Sequence, residues 1–287
     1  MCCLIGWQTM SLEDLKNKAF IQISKSIDND TLALPRVPEV VEKIDSAMLD
    51  KTTSIKDVSE IIKYESSISA RILQIANSPL IRGNSKITSL HSAITRIGLE
   101  MVRNLVLCMA VKDSIPVKQS YLKKKMRQVW EHSIAVSMYA YVLAERFGKD
   151  ADFAMMAGML HNLGVLPIIG YVGKNEELLE DYRVLDYLIS TLHKSIGIRI
   201  LKQWEMQEEL LEVIEGYDEI DKERAGAIDI VDIVQVAHCY SHDLRENTLD
   251  WYRVRALRKM HLTSSELAQI LKAAVKEVSA MSDILFR

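Results

Sequence analysis

The amino-acid sequence predicts an all-α protein, and three observations support this fold class. Apolar residues recur with a helical period in nearly every segment of the 287-residue chain. Three segments open with Ser or Thr followed three residues later by an acid, which is the spacing of a capping box at a helix start. Convincing alternation of apolar and polar residues, which would indicate half-buried strands, is absent from the sequence.

The capping-box pairs predict three helix starts at widely separated places. In each pair, a side chain satisfies a backbone N–H group of the first helical turn. The pairs are Ser11 with Asp14, Ser54 with Asp57, and Thr263 with Glu266.

The segment "TSLHSAITRIGLEMVRNLVLCMAVK" predicts two consecutive helices separated by Gly98. In each helix, apolar residues at positions i, i+3, i+4 and i+7 form one buried face. These residues are Leu90, Ala93, Ile94 and Ile97 in the first helix, and Val102, Leu105, Val106 and Met109 in the second. Pro116 should end the second helix and mark a boundary between two helical subdomains.

Composition and charge describe an ordinary globular protein. Hydrophobic residues make up 48% and charged residues 26% of the chain, and a net charge of −3 gives no overall attraction to nucleic acid or to an anionic membrane. None of the four cysteines forms a CxxC pair, and the opening "MCCLIG" is too short and uncharged for a secretory leader. No apolar run approaches eighteen residues. We therefore expect a cytoplasmic protein with reduced thiols and no membrane segment.

Two basic runs offer a nucleic-acid-binding alternative, which we do not expect. "YLKKKMRQ" is short and lacks interleaved aromatic residues, so it is typical of a solvated helix face. "WYRVRALRKM" places two aromatic residues beside four basic ones. Nucleic-acid binding would require Lys123 to Arg127 and Arg253 to Lys259 to form one continuous surface.

Four of the seven histidines lie on apolar faces of separate predicted helices: His132, His161, His193 and His238. A single histidine of this kind is more often a hydrogen-bonded core residue than a ligand. Four of them on four helices indicate a common polar centre, because the inward faces of a helical bundle converge.

Several separated segments together resemble the HD-related output domain (HDOD) family, a branch of the HD phosphohydrolase superfamily. The resemblance runs from about residue 28 to about residue 245. Its first half rests on "LPRVPEVVEKI", "ISARILQIANSPL" and "ITSLHSAITRIGLEMVRNLVL", and its second half on "WEHSIAVSMYAYVLAERFG", "AGMLHNLGVLPI" and "HKSIGIRILKQW". Asn77 and Ser78 match the Asn-Ser signature of the family, and the same residues also suit a helix end and turn.

The resemblance implies a degenerate metal site. Catalytic HD proteins bind metal through a His … His-Asp … Asp pattern, and the matching positions here are His132, the pair His161-Asn162, and His238. His193 matches a position that is also His in many relatives. Where related domains often carry a His-His pair, this chain has Gly216 and Tyr217.

These substitutions remove the chemistry that a phosphohydrolase needs. Asn162 offers a neutral amide oxygen in place of an anionic carboxylate, and His238 replaces the second carboxylate. The remaining histidines, His132, His161, His193 and His238, could hold zinc, but they could not readily neutralise a cation pair and a phosphate. We therefore expect no catalytic residue and no cofactor, with a structural or adventitious divalent metal as the alternative.

The resemblance also implies the domain division and the function. We expect an N-terminal helix and leader (1–27), an N-terminal helical half (28–115), an HD-like helical half (116–245) and a C-terminal helical extension (246–287). We expect a non-catalytic bacterial signal-transduction output module that acts through protein–protein interaction or ligand sensing. The alternative is a metal-dependent HD phosphohydrolase acting on a nucleotide or cyclic dinucleotide. The expected partner is a signalling protein, or a second copy of the chain.

Overall fold

The computed structural model describes residues 11–29, 39–50, 52–78, 86–113, 117–179, 181–246 and 248–286. Every regular element within these residues is a helix, which confirms the all-α prediction. The α-helices are α1 Leu12–Asp28, α2 Glu39–Leu49, α3 Ile55–Lys63, α4 Ser66–Ala76, α5 Leu90–Ile97, α6 Leu99–Asp113, α7 Ser120–Arg146, α8 Ala151–Leu160, α9 Val165–Lys174, α10 Tyr182–Gln203, α11 Glu208–Gly216, α12 Ile230–Glu246, α13 Arg255–Lys259 and α14 Ser264–Phe286. Short 3-10 helices cover Glu176–Leu179 and Trp251–Arg253. The predicted break at Pro116 lies outside the described residues.

The chain forms two compact units, and neither is continuous in sequence. The first unit comprises Met1–Arg36, Asp113–Val129 and Asn162–Glu215, and the second comprises Val37–Lys112, Trp130–His161 and Gly216–Arg287. One boundary falls inside α7, and another falls between His161 and Asn162. The sequence-based division at residues 28, 116 and 246 stays a prediction.

In the first unit, α1, α9 and α10 pack on one another. Their buried faces are aliphatic, with Leu15 and Ile23 on α1 and Leu188 on α10 among the buried side chains. Gly164 allows the start of α9 to lie against α10, because an added Cβ would fall 1.9 Å from the carbonyl oxygen of His193.

In the second unit, α3, α4 and α5 pack together, and α2 packs on α3. The C-terminal helix α14 packs on α4 and buries Leu267, Leu271 and Ala274. A further group is formed by α8 and α13, which both pack on α12. This group positions the polar residues described below.

The three predicted helix caps are present. Ser54 and Asp57 exchange side-chain and backbone hydrogen bonds at the start of α3, as do Thr263 and Glu266 before α14. The Ser11 hydroxyl accepts a hydrogen bond from the backbone N–H of Asp14 at the start of α1.

One stretch, Ala151–Lys174, is long and apolar enough to cross a membrane by length and composition alone. The expectation that no apolar run approaches this length was therefore wrong. Of its apolar window, 89% is buried within the protein, and a turn at residues 161–164 separates α8 from α9. Burial of this kind is consistent with a core segment of a soluble protein.

Candidate metal centre

Three of the four predicted histidines meet in the second unit: His132 on α7, His161 at the end of α8, and His238 on α12. One ring nitrogen from each lies within 4.8 Å of the others. His132 Nε2 is 3.0 Å from His238 Nδ1, which is 3.3 Å from His161 Nε2. We call these residues the imidazole cluster.

Two outer hydrogen bonds fix how the rings of the cluster are oriented. His161 Nδ1 lies 2.7 Å from the carbonyl oxygen of Gly158, and a carbonyl oxygen only accepts, so this nitrogen carries the proton. His132 Nδ1 lies 3.0 Å from the hydroxyl of Ser241, which can accept its proton. When His132 Nδ1 donates to Ser241, the Nε2 lone pairs of the neutral His132 and His161 rings both face His238 Nδ1.

Close packing of α8 against α7 brings His161 to the cluster. An added Cβ at Gly158 would lie 2.7 Å from the Cα of Ser137 and 2.9 Å from its backbone nitrogen. Glycine therefore lets the two backbones approach one turn before His161. His161 is 1% exposed as a result.

Tyr217 covers one side of the cluster. Its ring lies 4.8 Å, centroid to centroid, from the rings of both His161 and His238, in edge-to-face arrangements. A hydrogen bond from Gln235 on α12 to the carbonyl oxygen of Gly216 holds the preceding residue in place. Burial, with a smaller contribution from Asp218, raises the pKa of Tyr217 above its ordinary value, so the phenol stays neutral.

The donors in the cluster are all nitrogen. Among the described residues, the group that could hold a metal ion contains these three histidines and no carboxylate. Cys239 follows His238, but its sulfur is not among the ligand atoms of this group, and burial raises the pKa of its thiol to about 12. The set fits zinc, which accepts several imidazole ligands, better than it fits a hard cation that prefers oxygen.

The other two predicted site residues belong to the first unit. His193 lies on α10, where its Nδ1 is 2.7 Å from the carbonyl oxygen of Ile189. Asn162 is half-buried in the turn before α9, and its backbone carbonyl accepts from the N–H of Val165.

Asn77 and Ser78, the signature pair, lie at the end of α4. The side-chain amide of Asn77 donates to the carbonyl oxygens of Leu73 and Ile87, and its oxygen accepts from the N–H of Ile87. Asn77 thus joins the two ends of the intervening segment as a backbone pair would. Ser78 is buried, and among the described residues its hydroxyl has no hydrogen-bond partner.

Ser241 is a site residue that the sequence interpretation missed. It lies three residues after His238 on α12 and therefore on the same helix face. This i, i+3 spacing was visible in the sequence. Serine is so common on helices that the spacing alone did not identify it. Tyr217 was noted only as a departure from the family pattern, although its ring contacts two of the three histidines.

Comparison with known proteins identifies the family and the fold. The HDOD domain model matches residues 34–220. A crystal structure from Shewanella amazonensis, named as a candidate metal-dependent phosphohydrolase, has a TM-score of 0.72 at 24% identity and covers 94% of this chain and 99% of that one. An HDOD domain protein of unknown function from Geobacter sulfurreducens has a TM-score of 0.64 at 22% identity, with 94% and 99% covered.

Two further relatives extend the comparison. A protein from Marinobacter aquaeolei, named as a candidate signal transduction protein, has a TM-score of 0.64 at 16% identity and covers 97% of this chain and 67% of its own. An uncharacterized protein of Treponema pallidum is 21% identical over 218 residues, which are 72% of this chain. The match spans 41% of that relative's length.

Proposed function

This chain belongs to the HDOD family, and we propose that it is a non-catalytic regulatory module of bacterial signal transduction. It acts in the cytoplasm through a protein partner or a sensed ligand. The observation that carries this proposal is the donor set of the imidazole cluster, which among the described residues includes no carboxylate. The name of the Marinobacter aquaeolei relative points in the same direction.

The donor set does not fit the cation pair of a phosphohydrolase. Two divalent cations beside a phosphate need anionic oxygen ligands that bridge the ions and compensate their charge. Three neutral imidazoles supply neither the bridge nor the charge. We therefore assign no catalytic role to His132, His161 or His238.

The second candidate function is metal-dependent hydrolysis of a nucleotide or cyclic dinucleotide. The close approach of three imidazole nitrogens favours it, and so does the name of the Shewanella amazonensis relative. It ranks below the regulatory role because one ion held by nitrogen ligands can activate a water but leaves the phosphate charge without the second cation.

A nucleic-acid-binding function receives no support from the basic runs. Lys125 pairs with Asp186 at 2.8 Å, and Arg253 pairs with Asp221 at 2.5 Å. Lys259 pairs with the buried Asp232. Cations that face carboxylates of their own chain contribute little to phosphate binding.

The test combines metal analysis with an activity assay on the full chain. We expect protein purified without chelators to contain at most one equivalent of divalent metal. We also expect it to show no turnover of a generic phosphodiester in manganese. Two equivalents of metal, with turnover that disappears in His161→Ala, would overturn the regulatory proposal in favour of hydrolysis. His242→Ala, a change at an exposed histidine on the same helix as His238, is the matched control.

Restoring the carboxylates tests the reason for inactivity. The double variant Asn162→Asp with His238→Asp should bind manganese at least about tenfold more tightly than the parent in calorimetric titrations, because carboxylate oxygens suit hard cations. Asn17→Asp with His242→Asp adds the same charge at exposed positions and should leave manganese affinity unchanged. Equal titrations for the first double variant and the parent would contradict the explanation.

A further inference from the structure

The nitrogen-to-nitrogen distances in the imidazole cluster are close to those of a single zinc site. Two imidazoles on one tetrahedral zinc, at bond lengths of 2.0–2.1 Å, place their nitrogens about 3.3 Å apart. The two closer pairs in the cluster are separated by 3.0 and 3.3 Å. The remaining pair lies within 4.8 Å, so it would close by at most about 1.5 Å.

The outer hydrogen bonds of the cluster are those that zinc-binding histidines generally make. Such a histidine donates its second ring N–H to a carbonyl, carboxylate or other acceptor, which fixes the tautomer and the ring orientation. His161 donates in this way to the carbonyl oxygen of Gly158, and His132 can do so to Ser241. When both histidines donate in this way, two of the three lone pairs are directed into the cluster.

His238 is the residue that distinguishes a metal-free state from a metal-bound state. When its Nδ1 carries the proton, that N–H lies between the lone pairs of His132 and His161 and satisfies them. When the proton is on Nε2 instead, three lone pairs converge. A change of tautomer in one ring therefore converts a hydrogen-bonded core into a ligand set.

The cluster joins three helices that are separated in sequence. His132, His161 and His238 come from α7, α8 and α12, and Tyr217 covers one side. An ion bound to all three would hold these helices together more firmly than the shared N–H does. Binding would therefore change the rigidity of the second unit, which is a means of transmitting a state to a partner.

We propose that the ligand sensed by this module is a single zinc ion, held by His132 Nε2, His161 Nε2 and His238 Nδ1. The inference rests on the proposed regulatory function and names its ligand. Nitrogen donors select zinc over magnesium and manganese, which prefer oxygen. Ser241 acts as a positioning residue for His132.

The test is a zinc titration of the full chain after its metal has been removed with a chelator. We expect one equivalent of zinc to bind in calorimetry, magnesium not to compete, and the unfolding midpoint to rise with zinc concentration. Cobalt substitution should give the intense visible absorption of a tetrahedral ion. His238→Ala should weaken zinc binding more than about 100-fold, and Ser241→Ala about tenfold, within the range for an outer hydrogen-bond partner.

The control separates this site from an adventitious surface site. His242→Ala removes an exposed histidine one turn beyond His238 and should leave zinc affinity within about twofold of the parent, because His242 supplies no ligand in the proposed set. Zinc binding that is absent in the parent, or that is lost in His242→Ala and kept in His238→Ala, would overturn the inference. Circular dichroism of each variant confirms that lost binding is not lost folding.

The outcomes also separate this inference from the proposed function. Zinc binding without phosphodiester turnover supports both. Zinc binding with turnover overturns the non-catalytic function and keeps the zinc site. Neither zinc binding nor turnover overturns the zinc site and keeps the non-catalytic function.

Discussion

The start and the middle of α12 treat buried polar groups in opposite ways. Near its start, the carboxylate of Asp232 is 1% exposed and pairs with the ammonium group of Lys259 on α13. It also accepts from the backbone N–H of Asp229. Six residues later, His238 lies among imidazoles and a tyrosine, and among the described residues no carboxylate joins that cluster.

The second unit therefore buries a negative charge at Asp232 but places no carboxylate in the described cluster around His238. A buried carboxylate is costly unless a cation and hydrogen bonds compensate it, and Asp232 has both within its own chain. A carboxylate at position 238 would depend on a bound cation for the same compensation. With histidine at that position, the three imidazoles of the cluster hydrogen-bond one another.

Lys259→Met breaks the comparison at the carboxylate end and should have the largest effect on stability. The variant keeps most of the length of the apolar side chain but leaves the buried Asp232 without its cation. Loss of one partner from a buried ion pair costs about 3–5 kcal/mol of unfolding free energy. Urea denaturation followed by circular dichroism measures the loss.

Arg253→Met is the matched control for Lys259→Met. Arg253 pairs with Asp221 on the surface, where both side chains are more than half exposed. The unfolding midpoint of the Arg253→Met variant should stay close to that of the parent, because exposed ion pairs contribute little to stability. If Lys259→Met were no less stable than Arg253→Met, the buried pair would not stabilise the protein more than the exposed pair does.

The fold class and the helix starts could be predicted from sequence because they depend on local interactions. The caps at Ser11, Ser54 and Thr263 need only residues within one turn, and the structure forms all three. The two interleaved units could not be read from the sequence. They depend on contacts between distant segments, and their boundaries inside α7 and after His161 carry no proline or polar linker.

The sequence predicted that histidines form the candidate site, but it did not predict which of them meet. Apolar-face spacing identified His132, His161 and His238, which do meet. The same spacing included His193, which belongs to the other unit. The periodicity of a helix tells which face is buried, but it does not tell which neighbouring face it meets. The sequence did not identify Gly158, because its role depends on the tertiary structure. The glycine allows a close approach to the backbone of Ser137.

Gly158→Ala tests the comparison at the imidazole cluster, and its expected effect on stability is smaller. The new Cβ would lie under 3 Å from backbone atoms of Ser137, which cannot rotate away, so α8 must shift from α7. Overpacking of this kind costs about 1–3 kcal/mol, and it should also weaken zinc uptake by displacing His161. Denaturation and zinc titration of the same preparation measure both effects.

Gly173→Ala makes the same substitution in another helix and serves as the control. Its new Cβ would first meet the end of the Leu122 side chain at 3.1 Å, which can give way. We expect a small change in stability and none in zinc affinity. Equal losses in the two variants would mean that the approach of α8 to α7 has no special role.

Asp152→Asn extends the comparison to a carboxylate whose neighbours are acidic, in contrast to Asp232, which pairs with a cation. We expect it to have the smallest effect on stability. Partial burial, then Asp150, Glu100 and Glu145, raise the pKa of Asp152 above its ordinary value of 3.8. The folded protein therefore holds this proton more tightly than the unfolded chain does, so stability falls as pH rises through the interval between the two pKa values. Above that interval the full loss of stability is present, and below the unfolded pKa there is none.

Asp152→Asn should then stabilise the protein slightly at neutral pH and not at pH values below the unfolded pKa. Denaturation curves recorded at both pH values measure this difference. Asp283→Asn, which changes an exposed carboxylate, is the control. A gain that is the same at both pH values would show that the charge of Asp152 is not its cause.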